Sequence, residues 1–196
     1  MALVSAIAAG QDAAAKQELK RNPGLIQMRA MEGASRKSAK PFFFDEICHY
    51  LNEGDTALHM AAAGYRVNIA KLLIAKGAPV QAKNRMGAEP LHYAADGGPY
   101  LPHWDPKAQA GVIKILIKAG ADPNALDKRG VSPLHRAVRT RCSAAVEALL
   151  KGGADPGLKN GKGSSPLDLA SQDTGRGGSG SPEARREQDI ILRLLS

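Results

Sequence analysis

One phrase recurs along this 196-residue chain and limits what it can become. It first reads Gly54-Asp55-Thr56-Ala57-Leu58-His59-Met60-Ala61-Ala62. It returns as Gly87-Ala88-Glu89-Pro90-Leu91-His92-Tyr93-Ala94-Ala95, and again as Gly130-Val131-Ser132-Pro133-Leu134-His135-Arg136-Ala137-Val138. A weaker fourth copy is Gly163-Ser164-Ser165-Pro166-Leu167-Asp168-Leu169-Ala170-Ser171. Leu58 to Leu91 is 33 residues, Leu91 to Leu134 is 43, and Leu134 to Leu167 is 33. A second marker, Gly77-Ala78, Gly120-Ala121 and Gly153-Ala154, stands 14 residues before each following leucine. Self-similarity at such a period marks a stack of small units that bury their apolar faces on one another.

Each unit reads as two helices. Pro90, Pro133 and Pro166 sit where a helix begins, where a missing N–H costs nothing. Thr56, Ser132 and Ser165 precede as N-caps, and Glu89 is a weaker substitute. The first helix is expected to be about eight residues long. The second follows at Ile69-Ala-Lys-Leu-Leu-Ile74, Val112-Ile-Lys-Ile-Leu-Ile117 and Ala145-Val-Glu-Ala-Leu-Leu150, each with one apolar stripe. Gly77, Gly120 and Gly153 are expected to end these helices as left-handed caps.

These residues resemble the ankyrin repeat. The resemblance rests on residues 56–62, 89–95 and 132–138, on Gly77-Ala78-Pro79, on Gly120-Ala-Asp-Pro-Asn-Ala125 and on Gly153-Ala-Asp-Pro156. It implies an all-α solenoid of about five helix-turn-helix repeats with β-turn tips, forming one domain over 1–196. The same ruler places a capping repeat at 1–26, with helices at 2–9 and 12–21, a turn at Gly10 and a left-handed cap at Asn22. Repeats then fall at 52–84, 85–127 and 128–160, with a C-terminal repeat at 161–196.

The ruler breaks in three places. A loop is inserted at 27–51; it begins basic and carries Phe42, Phe43 and Phe44, all three phenylalanines of the chain. Three adjacent rings cannot all face inward on an extended segment, so at least one is expected to be exposed or to cover the neighbouring tips. The second repeat carries about ten extra residues around 97–106, including Tyr100 and the single tryptophan, Trp104. The last repeat is stretched at 173–185, where Gly and Ser are dense and mobility is expected. Its second helix is read at 191–195. The second and third insertions leave the helix-to-helix turn and should project from one edge.

The resemblance also implies where function lies. Family members bind other proteins through the first helices and the tips, and the repeat itself carries no chemistry. By position this surface includes Arg85, Met86, Asp96, Lys128, Arg129, Arg139 and Thr140, with Asp55, Ala63 and Ala88 beside them. Between Lys128 and Val146 there are five basic residues and no acidic ones: Lys128, Arg129, Arg136, Arg139 and Arg141. With a net charge of +8, such a stripe would steer an acidic protein partner, or would simply be a solvated helix face. Nucleic-acid binding through the same stripe is the alternative. Tyr100 and Trp104 are residue types that anchor interfaces, although Trp104 could equally close a local mini-core. Phe43 is the candidate from the first insertion.

The phrase histidines His59, His92 and His135 are expected, from the resemblance, to hydrogen-bond between adjacent turns. The pairs His92/Asp96 and His103/Asp105 lack further ligands at metal-site spacing, so no metal is expected. Cys48-His49 lacks an orienting third group, and the glycines at 175–180 follow no strand. A non-catalytic, cofactor-free, monomeric protein-binding module is therefore expected. No run of the chain approaches the length of a membrane helix. The opening residues lack a basic start, two distant cysteines suggest no disulfide framework, and the cytoplasm is the expected location.

Overall fold

A computed structural model gives the fold and describes residues 1–102, 104–172 and 181–196. Among the described residues five helix pairs follow one another: α1 (Ala2–Ala8) with α2 (Asp12–Arg21), α3 (Ala57–Ala63) with α4 (Val67–Ala75), α5 (Pro90–Ala94) with α6 (Pro106–Lys118), α7 (Pro133–Arg139) with α8 (Ser143–Lys151), and α9 (Pro166–Ser171) with α10 (Pro182–Leu195). The first helices stack on one another in order, and so do the second helices. The architecture is an all-α repeat solenoid.

The marker leucines Leu58, Leu91 and Leu134 are fully buried between the layers, as are Leu73, Leu116 and Leu149 of the second helices. Burying a leucine side chain contributes roughly 1.5–3 kcal/mol, so these six positions alone favour the stack strongly. Leu167, in the weaker copy, is 42% exposed. The helices of the pairs end as the glycines require. In the loop after α4, Gly77 adopts φ +83°. Its N–H then donates to Ile74 O at 2.9 Å, and that of Ala78 donates to Leu73 O at 2.9 Å. These bonds satisfy carbonyls that the last turn leaves open. Gly120 and Gly153 repeat the arrangement.

Several local expectations are corrected. Asn22 is not left-handed but lies at φ −137°, ψ 87°. The following Pro23 drives its predecessor toward extended backbone and begins a 3₁₀ turn, Pro23–Ile26. α5 spans five residues rather than eight. α6 runs for 13 residues against nine in α4 and α8, so part of the second insertion is helix. Asp105 caps it, accepting from Lys107 N at 2.9 Å and Ala108 N at 3.0 Å. α10 likewise begins at Pro182, nine residues before the expected Ile191, with Ser181 Oγ accepting from Ala184 N at 3.1 Å. The expectation of mobility at 173–180, and that of the His103/Asp105 pair, fall outside the described residues.

The inserted segment 27–51 is ordered along the first helices. It contains two short antiparallel strands, β1 (Phe43–Phe44) and β2 (His49–Tyr50), pairing Phe43 with Tyr50 and Phe44 with His49. Phe42 and Phe44 pack on the core, while the Phe43 ring lies 4.7 Å from that of Tyr50. The segment is tied to the 52–84 repeat by Ala30 N to Asp55 O at 2.7 Å, Gly54 N to Ala30 O at 2.8 Å, and Arg29 Nη1 to Lys83 O at 2.7 Å. At Gly33 the fit is close enough that an added Cβ would lie 2.3 Å from Glu53 N.

Candidate partner-binding surface

The tips between helix pairs form one connected edge. Arg85 N donates to Glu53 O at 2.9 Å, Lys128 N to Met86 O at 3.0 Å, and Gly161 N to Arg129 O at 3.0 Å. Each tip is also braced from within. Asp127 Oδ1 accepts from Arg129 N at 2.8 Å and Val131 N at 3.0 Å. Asn84 Oδ1 and Asn160 Oδ1 brace their own tips in the same way. These side chains mimic backbone acceptors, which Asn and Asp do readily in turns. Three of the tips present cations to solvent: Lys83, Arg85, Lys128, Arg129, Lys159 and Lys162 are all exposed, while the first tip carries the exposed Glu53. Met86 and Val131 are half-buried among them.

Behind the tips, the phrase histidines join successive repeats. His59 Nδ1 accepts the Thr56 backbone N–H at 3.1 Å, so its proton is on Nε2, which donates to Ala88 O at 3.1 Å. His92 does the same between Glu89 N and Val131 O, and His135 between Ser132 N and Ser164 O. A second proton on Nδ1 would face a donor. Burial, the largest cause, lowers all three pKa values, to about 4 for His92. In the fourth copy, Asp168 Oδ2 accepts from Ser165 N at 2.8 Å, so only the local half of the arrangement remains.

The first helices do not offer one open face. Met60 and Tyr93, the variable residues of the first two phrases, are buried. The His49 ring of the inserted hairpin stacks 4.3 Å from Tyr93. The Tyr93 hydroxyl donates to Asp55 Oδ2 at 2.9 Å and accepts from Asn52 Nδ2 at 2.8 Å and Asn84 Nδ2 at 2.9 Å. Asp55, Ala63 and Ala88, placed on the surface from the sequence, are therefore interior. A network of this kind is invisible to a ruler that counts spacing along the chain.

The arginine stripe also divides. Arg136 is 13% exposed in its side chain and lies between Asp96 Oδ2 at 3.4 Å and Asp127 Oδ2 at 3.1 Å. Burial pushes the Asp127 carboxyl up, but the Val131 and Arg129 N–H groups, and after them Arg136, hold it below its usual range. Arg141 is only 3% exposed, with φ +58° at the turn before α8. Thr140 is buried as well, its hydroxyl donating to Arg136 O at 3.0 Å. The helical face thus retains Arg139, half-buried, while Lys128 and Arg129 belong to the tip edge.

The second insertion turns back on the stack instead of projecting. Gly97 and Gly98 are buried, and a Cβ on Gly98 would stand 1.9 Å from Thr140 O. Trp104 is half-buried against the core, with Nε1 donating to Gln109 Oε1 at 2.8 Å. Gln109, which sequence reasoning passed over, is fully buried and caps α5 by donating to Ala94 O at 3.0 Å. It also accepts from Cys142 Sγ at 2.9 Å. A polar residue in the apolar stripe of α6 was the available signal. Tyr100 is 46% exposed. Among the described residues no cluster of His, Cys, Asp or Glu is arranged to hold a metal.

Stacked helix pairs, hairpin tips bonded in series and histidines spanning successive repeats define a helical repeat protein. Family comparison gives the class its name: ankyrin repeats (3 copies) match residues 25–101, an ankyrin repeat matches 86–128, and ankyrin repeats (many copies) match 116–170. The chain belongs to the ankyrin-repeat family, whose members are generally protein–protein interaction modules. No curated protein matches it. Among the described residues, no helix is long and apolar enough to cross a membrane.

Proposed function

We propose that this chain is a non-catalytic interaction module, one domain acting as a monomer, that binds an acidic protein segment along its tip edge. The observation that carries the reading is the set of exposed cations on three consecutive tips, with Arg139 on the adjoining helix. An array of one sign raises the encounter rate with an acidic partner and sets its orientation. Met86, Val131 and exposed Leu126 give such a segment apolar contacts between the charges. No aromatic side chain interrupts residues 83–88, 126–131 or 159–164, so the edge lacks the stacking platform that single-stranded nucleic acid favours. The inserted 43–50 hairpin already occupies the first helices of the second and third pairs, which moves the partner toward the tips. Two free thiols, one of them buried, suit a reducing compartment, and the cytoplasm is the proposed location.

The test uses a fluorescein-labelled polyglutamate peptide and single-stranded DNA of matched charge. Reversing Lys128, Arg129 and Lys162 to Glu should weaken peptide binding by more than about tenfold and slow its on-rate. Reversing Lys16, Lys20 and Lys76, exposed elsewhere, changes the net charge equally and should have a much smaller effect. Equal losses in both triple variants would reduce the edge to bulk charge. Tighter binding to DNA would transfer the function to nucleic acid.

A further inference from the structure

The first and second insertions meet. Residues 47–50, 96–97 and 100–101 line a cleft of about 220 Å³ together with Ala63 and Tyr65. Three of the four tyrosines of the chain, Tyr50, Tyr65 and Tyr100, line it beside His49. Tyr50 and Tyr100 are 43% and 46% exposed, the two aromatic side chains among the exposed large hydrophobics of the described residues. The polar floor is Asp96, whose carboxylate is 27% exposed. Among the described residues no lysine or arginine lines the cleft. Arg136 reaches it indirectly, through its bond to Asp96, and is itself shared with Asp127. The turn Asp45–Ile47 leading into the cleft adds exposed Asp45 and Glu46. Two of these carboxylates are set against cations, Asp96 against Arg136 and Glu46 against Arg66, neither of which lines the cleft.

The walls are built for a fixed shape. The Tyr65 hydroxyl donates to Asp96 O at 2.6 Å, and Gln109 Nε2 donates to the same carbonyl at 3.4 Å. Gly97, at φ +108°, lets the loop settle on Tyr65, where a Cβ would lie 2.1 Å from its Oη. On the other wall, His49 Nδ1 donates to Tyr50 O at 2.9 Å, and the Tyr50 ring is backed by Phe43.

Electron-rich rings around a carboxylate attract a soft, weakly hydrated cation more than a neutral group of the same size. We propose that this cleft is an aromatic cage for a methylated ammonium group, presented either as a methylated lysine side chain or as a small free quaternary ammonium. The rings face the methyl groups and share the charge with Asp96. A plain ammonium is more strongly hydrated and gives up more on entry.

The test is an NMR titration of the full chain. Tetramethylammonium chloride should shift the backbone amides of residues 47–50 and 96–101 and leave those of α8 in place. A peptide carrying trimethyllysine should bind more tightly than the same peptide with lysine, or with the neutral carbon isostere of trimethyllysine, by about threefold or more. Tyr100→Ala should weaken the cation by roughly three- to thirty-fold, Tyr100→Phe should retain it, and Asp96→Asn should weaken it with the melting curve preserved. A peptide preference over tetramethylammonium of more than about tenfold assigns a protein ligand, while parity assigns a free cation. The proposal is overturned if the isostere binds as well as the cation, if Tyr100→Ala leaves affinity unchanged, or if tetramethylammonium shifts no amide of the cleft.

Discussion

Gln109 is the position where one buried side chain holds three elements together, and Gln109→Met tests that role. Methionine has nearly the same length and keeps the apolar packing of α6, but it donates nothing and accepts only weakly. Removing the amide leaves the Ala94 carbonyl without its 3.0 Å donor at the open end of a five-residue helix. An unsatisfied buried backbone acceptor costs about 1–3 kcal/mol. The Trp104 indole loses its 2.8 Å acceptor but is half-buried, so water recovers part of that bond, at a net loss of about 1 kcal/mol. The Asp96 carbonyl keeps the Tyr65 hydroxyl at 2.6 Å and adds little. The Cys142 thiol is a weak donor and adds little too. The total is about 2–4 kcal/mol. With a urea m-value of about 2 kcal/mol/M, the midpoint should fall by about 1–2 M. Trp104 is the only tryptophan, so its emission reports the same site: the maximum should move to the red in the native baseline. Pairing Gln109→Met with Trp104→Phe should show a coupling of about 1 kcal/mol. A loss below about 1 kcal/mol with unchanged emission would show that Gln109 fills space and no more.

Other expectations follow from the same structure. The His92 pKa is lowered from 6.5 to about 4, so its contribution to stability is complete above about pH 6.5 and is lost as pH falls toward 4. His92→Gln should flatten the pH dependence of the melting temperature in that window relative to the parent, and parallel curves would contradict the lowered pKa of His92. Gly98→Ala should cost more than about 2 kcal/mol, because its Cβ would meet the Thr140 carbonyl. Gly153→Ala, at φ +92° with nothing within 4 Å, should cost only the conformational term of about 1–2 kcal/mol; equal losses in urea denaturation would contradict the close approach at Gly98. Gly33→Ala should loosen the inserted segment from the 52–84 repeat, seen as faster amide exchange across residues 30–51, and unchanged exchange would show that the segment docks by other means.

Much of the fold was readable from spacing. The two markers, Leu58 with its copies and Gly77 with its copies, place both helices of a repeat, because a helix start and a helix stop are local events governed by caps and left-handed glycines. The beginnings of α6 and α10 are equally local, in Asp105-Pro106 and Ser181-Pro182, but they lie outside the constant offset from the marker leucines. Asn22 failed because the proline beside it overrode its own preference.

The candidate surface was less readable. Arg85, Lys128, Arg129 and Lys162 could be placed on tips by position, since every tip is exposed by construction. Arg136, Thr140 and Arg141, which the sequence also places on that surface, are buried or nearly so, since whether a helical residue meets water depends on what lies across from it. Here Asp96 and Asp127, 40 and nine residues away, take up Arg136. The sequence by itself determined the repeat, its caps and the histidine in each phrase, all of which arise from contacts repeated at a constant offset. Only the tertiary structure decided that residues 27–51 lie along the first helices and that His49 covers Tyr93. It alone brought Tyr50 and Tyr100, fifty residues apart, to one cleft. An insertion has no period, and its path is set by which surfaces fit once the stack has formed.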